Sequence, residues 1–396
     1  MTHLTRARLL MASAAFASFA APAWALDGQD LLAKINAAYA AGGQIKAQSI
    51  DVSGDDVTLT GVTFSPKGVD DKGIKLDELT LEGVTEDDDG GYSIDTVTFP
   101  EINRKEDKAT IKVSDLYLSG VHVPGDPNSG DINALALYEE AHAGPATVTV
   151  DGKTVFSMEE AQGTLDVADD EQSMSFNGGM TGIKGDLSIV KDPKARDALS
   201  KLGIVTLDGD ISVKGSWELP TGTIKVDEYA LDFANIGKLD LGFTLSGYTL
   251  DLVKQLQETA RTMQSDPKNP QAQQASGLAM LGLMQQMSFV NAKISFDDDG
   301  ITKRGLDYAG EQQGTSGTQI AQMVKAMAPI LLAQWKLGAL QNELSAAINT
   351  YVDDPKNLVI TAAPESPVPF PMIMGAGMGA PETLPQVLGV SVKANQ

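Results

Sequence analysis

The chain has no cysteine and few histidine or aromatic residues. Of its 396 residues, three are His and 6% are Phe, Trp or Tyr. Without Cys there is no disulfide framework, no Cys-ligated zinc or iron–sulfur site and no thiol nucleophile. The low aromatic content also disfavours a carbohydrate-binding cleft, because such clefts usually offer aromatic platforms.

Basic residues are scarce relative to acidic ones. The chain carries 30 Lys and Arg against 53 Asp and Glu, which gives a formal net charge of −23. Such a chain repels phosphate, so nucleic acid is not expected as a partner. The same charge disfavours docking on an anionic membrane surface. The hydrophobic fraction of 42% is too high for a wholly disordered chain.

Motifs that carry catalysis are also missing. The sequence has no G-x-S-x-G, no H-E-x-x-H, no Walker A and no G-x-G-x-x-G. His122 and His142 stand outside any such motif and are interpreted as surface or boundary residues. The acidic runs 86–89, 169–171 and 297–299 lack the spacing of a calcium loop. We therefore predict no catalytic residue, no metal and no cofactor, with a hydrolase using two carboxylates as a less favoured alternative.

The first 25 residues have the pattern of a secretory signal peptide. Arg6 and Arg8 precede an uncharged apolar stretch over 9–21, and Ala23 and Ala25 form an A-x-A site. The apolar stretch is shorter than the ~20 residues that span a bilayer, which argues against an uncleaved anchor. The pattern predicts cleavage after Ala25, a periplasmic location and no membrane span in the remaining chain.

One sequence device recurs in the region where apolar residues alternate with polar ones. Two alternating apolar residues are followed by Gly, after which the apolar phase shifts by one. The copies are 57–64, 79–86, 116–123 and 243–250. A β-bulge with a left-handed Gly would keep the apolar side chains on one face. A tight hairpin would do the same. The bulge is favoured because the half-strands are short and the turns lack Asn or Asp.

Helical periodicity is confined to a few segments. We expect helices near 27–41, 132–142 and 193–202, and two longer ones near 250–264 and 271–288. One strand or a hairpin is predicted at 289–296 and 301–308, with 297–300 as its turn. The longest helical stretch is predicted at 317–351, and Pro329 should kink or split it.

These elements predict a mainly β protein of the α+β class. We expect a long twisted antiparallel sheet, or two abutting sheets, with flanking helices and a helical C-terminal part. The predicted organisation is a signal peptide at 1–25, a β-rich region at 26–250 and a helix-rich region at 251–396. The last region would include a Pro-rich tail.

Methionine is concentrated in the C-terminal region. Met is flexible and apolar, so it can line an adaptable pocket, although the same residues would also suit an ordinary helix core. The residues predicted to bind a ligand are Met280, Met284, Met287, Met323 and Met327.

The export signal, the repeated L-x-L-x-G-V strands over about 50–250 and the terminal helices resemble the AsmA-like envelope family. That resemblance implies long curved sheets and a role in lipid handling at the outer membrane. The chain departs from the family in being short and in having a cleavable signal. Its C-terminal segments 305–308, 364–371 and 384–392 are similar to uncharacterised β-rich periplasmic proteins of Gram-negative bacteria. No functional residue carries over.

The sequence thus favours a non-enzymatic exported protein that binds a lipid or another apolar ligand in a β groove. The alternative is an envelope scaffold or assembly factor that recruits a protein partner through its sheet edges. The groove hypothesis requires that Leu59, Val62, Leu118 and Val121 share one surface, and that helices close this surface only in part.

Overall fold

The computed structural model describes residues 26–39, 42–66, 73–127, 129, 131–265 and 270–396. The predicted signal peptide, residues 1–25, lies outside these residues. The helices are α1 (Gly28–Ala38), α2 (Pro193–Lys201), α3 (Leu250–Ser265), α4 (Pro270–Met284), α5 (Ile301–Gln312), α6 (Gly317–Gln334), α7 (Leu340–Asp353), α8 (Phe370–Gly379) and α9 (Leu384–Val387).

In the first half, most strands are short and are separated by only a few residues. They are β1 (Gly43–Lys46), β2 (Ser49–Ser53), β3 (Asp56–Pro66), β4 (Ile74–Glu82), β5 (Thr85–Glu86), β6 (Tyr92–Phe99), β7 (Ile102–Glu106), β8 (Ala109–Val113), β9 (Leu116–Val123), β10 (Glu140–Ala143), β11 (Ala146–Val150), β12 (Lys153–Met158) and β13 (Glu160–Val167).

In the second half, the strands β14–β18 are longer and the last three are short. They are β14 (Ser173–Asp186), β15 (Thr206–Glu218), β16 (Thr223–Phe233), β17 (Gly237–Ser246), β18 (Ser288–Asp298), β19 (Asn357–Ala362), β20 (Val368–Pro369) and β21 (Val390–Ala394). All of these strands belong to one antiparallel sheet. The prediction of a mainly β protein with a large antiparallel sheet and flanking helices is confirmed.

The chain runs through the sheet as a meander. Short segments join end to end, so that β6 with β7, β8 with β9, β10 with β11, and β12 with β13 each act as one bent strand. From β13 each long strand pairs with the next, and β17 pairs with β18. The sheet therefore continues across residue 250, where helices α3 and α4 are inserted between two paired strands.

The glycine device keeps apolar side chains on one face. Gly61 and Gly120 have positive φ angles of 62° and 57° inside the continuous strands β3 and β9. Leu59 and Val62 are both buried, as is Val121, and Leu118 packs against the same cluster. The four residues share one surface, as the bulge interpretation required, and neither copy forms a hairpin. No extra residue is inserted, however, because the pairing register is the same on both sides of Gly61 and of Gly120, so the predicted β-bulge is wrong in this respect. In the copy at 243–250, by contrast, Gly247 ends β17 and the chain enters α3.

The phase shift also occurs in the intervening strands, where Gly is absent. Leu76 and Leu79 in β4, like Ile94 and Val97 in β6, are three residues apart and face the same cavity. Because the β3–β4 register is the same on both sides of Gly61, the two strands shift phase together. A line of matched shifts thus crosses the first strands of the sheet.

Apolar residues stand directly opposite one another across the whole sheet. This apolar row consists of Val57, Leu81, Val97, Leu118, Ala141, Gly163, Gly178, Val213, Tyr229, Leu241, Ile294, Ile360 and Val392. In the first strands, the residues next to the apolar row form a polar row on the opposite face. It includes Thr58, Thr80, Thr98, Tyr117, His142 and Gln162. Alternation along each strand thus gives the sheet two chemically different faces.

The predicted helix at 132–142 is wrong. Only Ile132–Ala134 forms a 3₁₀ turn, Leu137 makes a backbone bridge with His122, and Glu140–Ala143 is strand β10. The apolar residues that suggested a helix, Leu135 and Leu137, pack instead on a cluster with Met174 and Leu219. His142 therefore lies in a strand and not at a helix end.

The predicted strand at 301–308 is also wrong, because these residues lie in α5. The Asp298 carboxylate accepts hydrogen bonds from the N–H groups of Gly300 (2.7 Å) and Thr302 (3.0 Å). It satisfies N–H groups at the start of the helix, which have no partner within the helix itself. The acidic segment before Gly300 thus starts a helix, where the sequence had suggested a hairpin turn.

The long helical stretch splits, but not at Pro329. That residue remains inside α6, and the break lies between Gln334 and Leu340. Lys336 and Gly338 have positive φ angles of 54° and 60° there. Left-handed residues commonly end helices, so the break depends on this segment.

Candidate functional site: an apolar groove

The apolar face of the sheet forms the wall of a groove with a volume of about 1020 Å³. Its lining comes from α1 and from strands between β1 and β16, so the sheet curves around it. Members of the apolar row line it in succession, among them Leu81, Val97, Leu118, Val213 and Tyr229. The groove lining, as far as the structure describes it, contains no Asp, Glu, Lys or Arg.

Helix α1 covers the N-terminal end of the groove. Leu31 is fully buried in a cluster with Val57, Leu59 and Leu81, and Ile35 packs on the same cluster. Burial of such side chains is what holds a helix of this length, since short helices are marginal in isolation.

Polar contacts fix the position of α1. Asp27 caps its first turn, accepting from the N–H groups of Gln29 and Asp30. The Asn36 side chain bonds both the N–H (2.7 Å) and the carbonyl (2.9 Å) of Ile45 in β1. The Asp27 contacts stabilise the start of the helix itself, and the Asn36 contacts tie its C-terminal part to β1.

A buried tyrosine provides a further hydrogen bond between α1 and the sheet. The Tyr92 hydroxyl donates to the Asp30 carboxylate at 2.8 Å, and Lys34 pairs with the same carboxylate at 2.6 Å. The hydrogen bond from Lys34, followed by that from Tyr92, lowers the pKa of Asp30. Burial, reinforced by the hydrogen bond to Asp30, raises the pKa of Tyr92. The pair joins α1 to β6, on which the groove wall is built.

Helix α7 covers the C-terminal end of the apolar face. Its residues Leu344, Ala347 and Tyr351 pack against apolar residues of β19 and β21. Two of these residues, Ile360 and Val392, are the last members of the apolar row. The sheet is therefore closed by a helix at each end of the same face.

Between the two helices the apolar face is open. Met180, Tyr229, Phe243 and Ile294 are between 36% and 43% exposed. They project from β14, β16, β17 and β18 on the side of the apolar row. Contiguous exposed apolar surface of this kind marks binding sites in proteins.

One rim of this face is partly covered. Leu135 and Leu137 pack with Trp217 and Leu250 around the buried residues Ile132, Met174 and Leu219. The Trp217 indole N–H donates to the Tyr248 carbonyl at 2.8 Å, which satisfies its polar group. The covering segment narrows the groove but leaves its middle exposed.

The polar row carries an ordered cluster around His142, and Tyr117, His142 and Gln162 also contribute to the groove lining. Its ring stacks on Tyr117 with centroids 4.8 Å apart. Nδ1 donates to the Asp115 carbonyl at 2.9 Å, and Nε2 lies 3.2 Å from a Glu160 carboxylate oxygen. The hydrogen bond to the Asp115 backbone, with the charges of Asp115 and Glu160, raises the pKa of His142.

The other ionisable groups include possible metal ligands. No group of three or more His, Asp or Glu side chains is arranged to hold a metal ion within the described ranges. The groove lining is mainly apolar, and its polar side chains include His142, Gln162, Thr164 and Asn177. In the part of the chain with coordinates described above, no helix combines the length and the hydropathy needed to cross a membrane.

The five methionines predicted to bind ligand are not in the groove lining. Met280 and Met284 lie on α4, Met287 follows it, and Met323 and Met327 lie on α6 with 46% of their surface exposed. They are divided between two helices inserted at different points in the sheet. Ligand binding by these residues remains a prediction.

Sequence reasoning did not identify the groove residues individually as ligand-binding. The available signal was the alternation itself together with the recurring Gly device, since Leu59, Val62, Leu79, Leu81, Leu118 and Val121 all line the groove. Alternation alone does not distinguish a covered face from an open one. The distinction arises from the two end helices.

Comparison with known proteins gives little functional information. A family model described only as an uncharacterized protein matches residues 230–395. This segment begins within β16 and includes α7 and the C-terminal end of the sheet. The comparison with curated proteins finds no match. The resemblance to AsmA-like envelope proteins remains a prediction.

Proposed function

We propose that this protein is a non-enzymatic carrier or binder of an apolar molecule, such as a lipid acyl chain, which lies along the groove. The observation that carries the proposal is the apolar row, whose middle members stay uncovered between α1 and α7. A periplasmic location is part of the proposal and depends on the predicted export signal. The proposal concerns binding only and assigns no reaction.

The size of the groove suits a long ligand. The apolar row crosses nine strands from β3 to β16, which gives eight inter-strand spacings. At about 4.8 Å for each spacing, the path across the strands is roughly 38 Å long. A bilayer hydrocarbon core is about 30 Å thick, so one acyl chain spans about 15 Å. The groove is thus long enough for an extended chain in more than one position.

The energy of binding would come from apolar burial. Removing ~300 Å² of apolar surface from water is worth about 7 kcal/mol before the costs of association are subtracted. Because those costs are of similar size, short ligands should bind weakly. Ligands with long chains are therefore the expected class.

The test is titration of a neutral fluorescent alkyl ester into the purified protein, with native mass spectrometry of the complex. Met180→Asp places a charge in the groove and should weaken binding at least tenfold. Thr181→Asp is the matched control, since Thr181 is the next residue in β14 and does not line the groove. Absence of binding to the unaltered protein, or equal effects of both substitutions, would refute the proposal.

A further inference from the structure

The sheet opens at one place beside the groove. Strands β4 and β6 pair only through Thr80–Glu82 and Thr96–Thr98. Beyond that point Pro100 has no N–H to donate, and the following strand β7 pairs with β8. The earlier part of β4 pairs with β3 alone among the described strands. A lateral gap therefore separates β4 from β7.

Arg104 bridges this gap. Its guanidinium Nη2 donates to the Lys75 carbonyl in β4 at 2.6 Å. Ile102, two residues earlier in β7, lines the groove, so Arg104 projects from the same face of its strand. Across the gap, Ile74 also lines the groove and is 41% exposed. The arginine thus stands where the apolar lining meets solvent.

The guanidinium keeps donors free for a ligand. Arginine has five N–H donors, and the bond to Lys75 uses one of them. Among the described residues, Arg104 forms no ion pair, and Glu106 is the next acid along the same face of β7. The planar donor fork of arginine matches the oxygens of carboxylate and phosphate groups.

The β7–β8 hairpin, which forms one side of the gap, has a charge opposite to that of the whole protein. The β7–β8 hairpin, residues 102–113, has four basic residues (Arg104, Lys105, Lys108, Lys112) and two acidic ones (Glu106, Asp107), so its net charge is 4 − 2 = +2. The whole chain has a net charge of −23. On the other side of the gap, β4 carries one basic and three acidic residues (Lys75, Asp77, Glu78, Glu82), so its net charge is 1 − 3 = −2. An anion at the opening is therefore attracted to the β7 side, where Arg104 stands.

We propose that the ligand is an anionic amphiphile, with its chain in the groove and its oxyanion bound by Arg104 at the gap between β4 and β7. This inference rests on the proposed function and adds the chemical class of the ligand. The shared chemistry is an alkyl chain ending in a carboxylate or a phosphate. Either headgroup would accept hydrogen bonds from the free guanidinium donors in place of water. Its alkyl chain would be buried against the apolar lining.

The experiment uses the full chain and compares two probes with the same apolar part, anionic pyrene-dodecanoic acid and its neutral methyl ester. We expect the acid to bind about tenfold more tightly than the ester, as for a partly exposed charge-assisted hydrogen bond. Arg104→Gln should remove this preference and leave ester affinity within about twofold of the original. Displacement by dodecanoate and by dodecyl phosphate then distinguishes the two anions.

Lys105→Gln is the matched control, because it removes the same charge from the next residue, on the opposite face of β7. It should preserve the preference for the acid. Thermal melting of each variant checks that it remains folded, and Arg104→Lys should retain part of the preference through its charge. Added salt should weaken binding of the acid and not of the ester.

The possible outcomes separate the two proposals. If the ester binds and the acid binds no better, the groove functions as proposed but the anionic class is wrong. If Arg104→Gln weakens both probes equally, the arginine only bridges the strands and this inference is overturned. If neither probe binds the unaltered protein, both proposals fail.

Discussion

At the scale of single residues, the left-handed glycines determine whether the strands can keep one apolar face. Gly120 has φ of 57°, and a Cβ there would lie 2.4 Å from Glu139 Cγ. Because a side chain in the left-handed region costs about 1–2 kcal/mol and Glu139 must move, Gly120→Ala should lower the free energy of unfolding by about 2 kcal/mol. Urea denaturation measures this change.

Gly163 provides the control for that substitution. It lies in β13 without a positive φ, and a Cβ there would meet no atom within 4 Å. Gly163→Ala should therefore change the free energy of unfolding by less than about 0.5 kcal/mol or increase it slightly. Equal losses in the two variants would contradict a specific role for the left-handed conformation at Gly120.

The His142 cluster predicts a pH-dependent contribution to stability. Its folded-state pKa is raised, chiefly by the hydrogen bond to the Asp115 carbonyl. A raised pKa means that the stabilisation is fully present below the unfolded value of about 6.5 and is lost as pH rises through the folded-state pKa.

We therefore expect His142→Gln to lower the free energy of unfolding more at pH 5.5 than at pH 8. The measurement is denaturant unfolding of both proteins at the two pH values. The difference between the two proteins at each pH includes the effect of His142 on Glu140, whose pKa the charge of His142 helps to lower. A loss of the same size at both pH values would show that His142 contributes only through stacking on Tyr117.

At the scale of elements, α1 and α6 differ in how their apolar residues are used. Leu31 of α1 is fully buried against the groove wall, whereas Met323 of α6 is 46% exposed. Leu31→Ala should lower the free energy of unfolding by about 3 kcal/mol, because it leaves a cavity. Met323→Ala should cost less than about 1 kcal/mol. Comparable losses in thermal or urea unfolding would contradict the assigned packing of these helices.

Element types were predictable where one periodicity was clear. Alternation predicts strands at 204–217, 222–233 and 238–246, which correspond to β15, β16 and β17, because one face meets apolar and the other polar surroundings. It divides β14 wrongly into two strands, 173–176 and 183–190, whereas the structure has one strand, Ser173–Asp186. The segment after Asp297 was ambiguous, since an acidic run ending in Gly starts either a hairpin or a helix. Contacts decide it: Asp298 satisfies the first N–H groups of α5, and Tyr351 of α7 donates to the same carboxylate. Such long-range partners cannot be read from local sequence.

The helix predicted near 132–142 failed for a related reason. Leu135 and Leu137 matched a helical face, but their burial comes from Met174 and Leu219, which are about 40 and 80 residues away in sequence. Tertiary contacts override local propensity in short segments of this kind. The groove is likewise not predictable from local sequence, because the part of the apolar face that stays exposed depends on which strands α1 and α7 cover.

At the scale of the whole molecule, the proposed site differs from an enclosed pocket in its length. An enclosed pocket stops gaining affinity once the chain fills it. The present groove runs across the strands for roughly 38 Å. Its exposed residues Met180 and Tyr229 lie near the β16 end. The dependence of affinity on chain length therefore reports how much of the groove a ligand occupies.

We expect affinity for alkyl carboxylates to increase steadily from C10 to C18, by up to about 0.8 kcal/mol for each CH₂ group. The measurement is displacement of a fluorescent ester at concentrations below micelle formation. Met180→Asp should flatten the dependence for the longer chains, because only these would reach the charge near the β16 end of the groove. A plateau near C12 in the unaltered protein would instead place the ligand only in the end covered by α1, where Leu31 and Ile35 already enclose the wall.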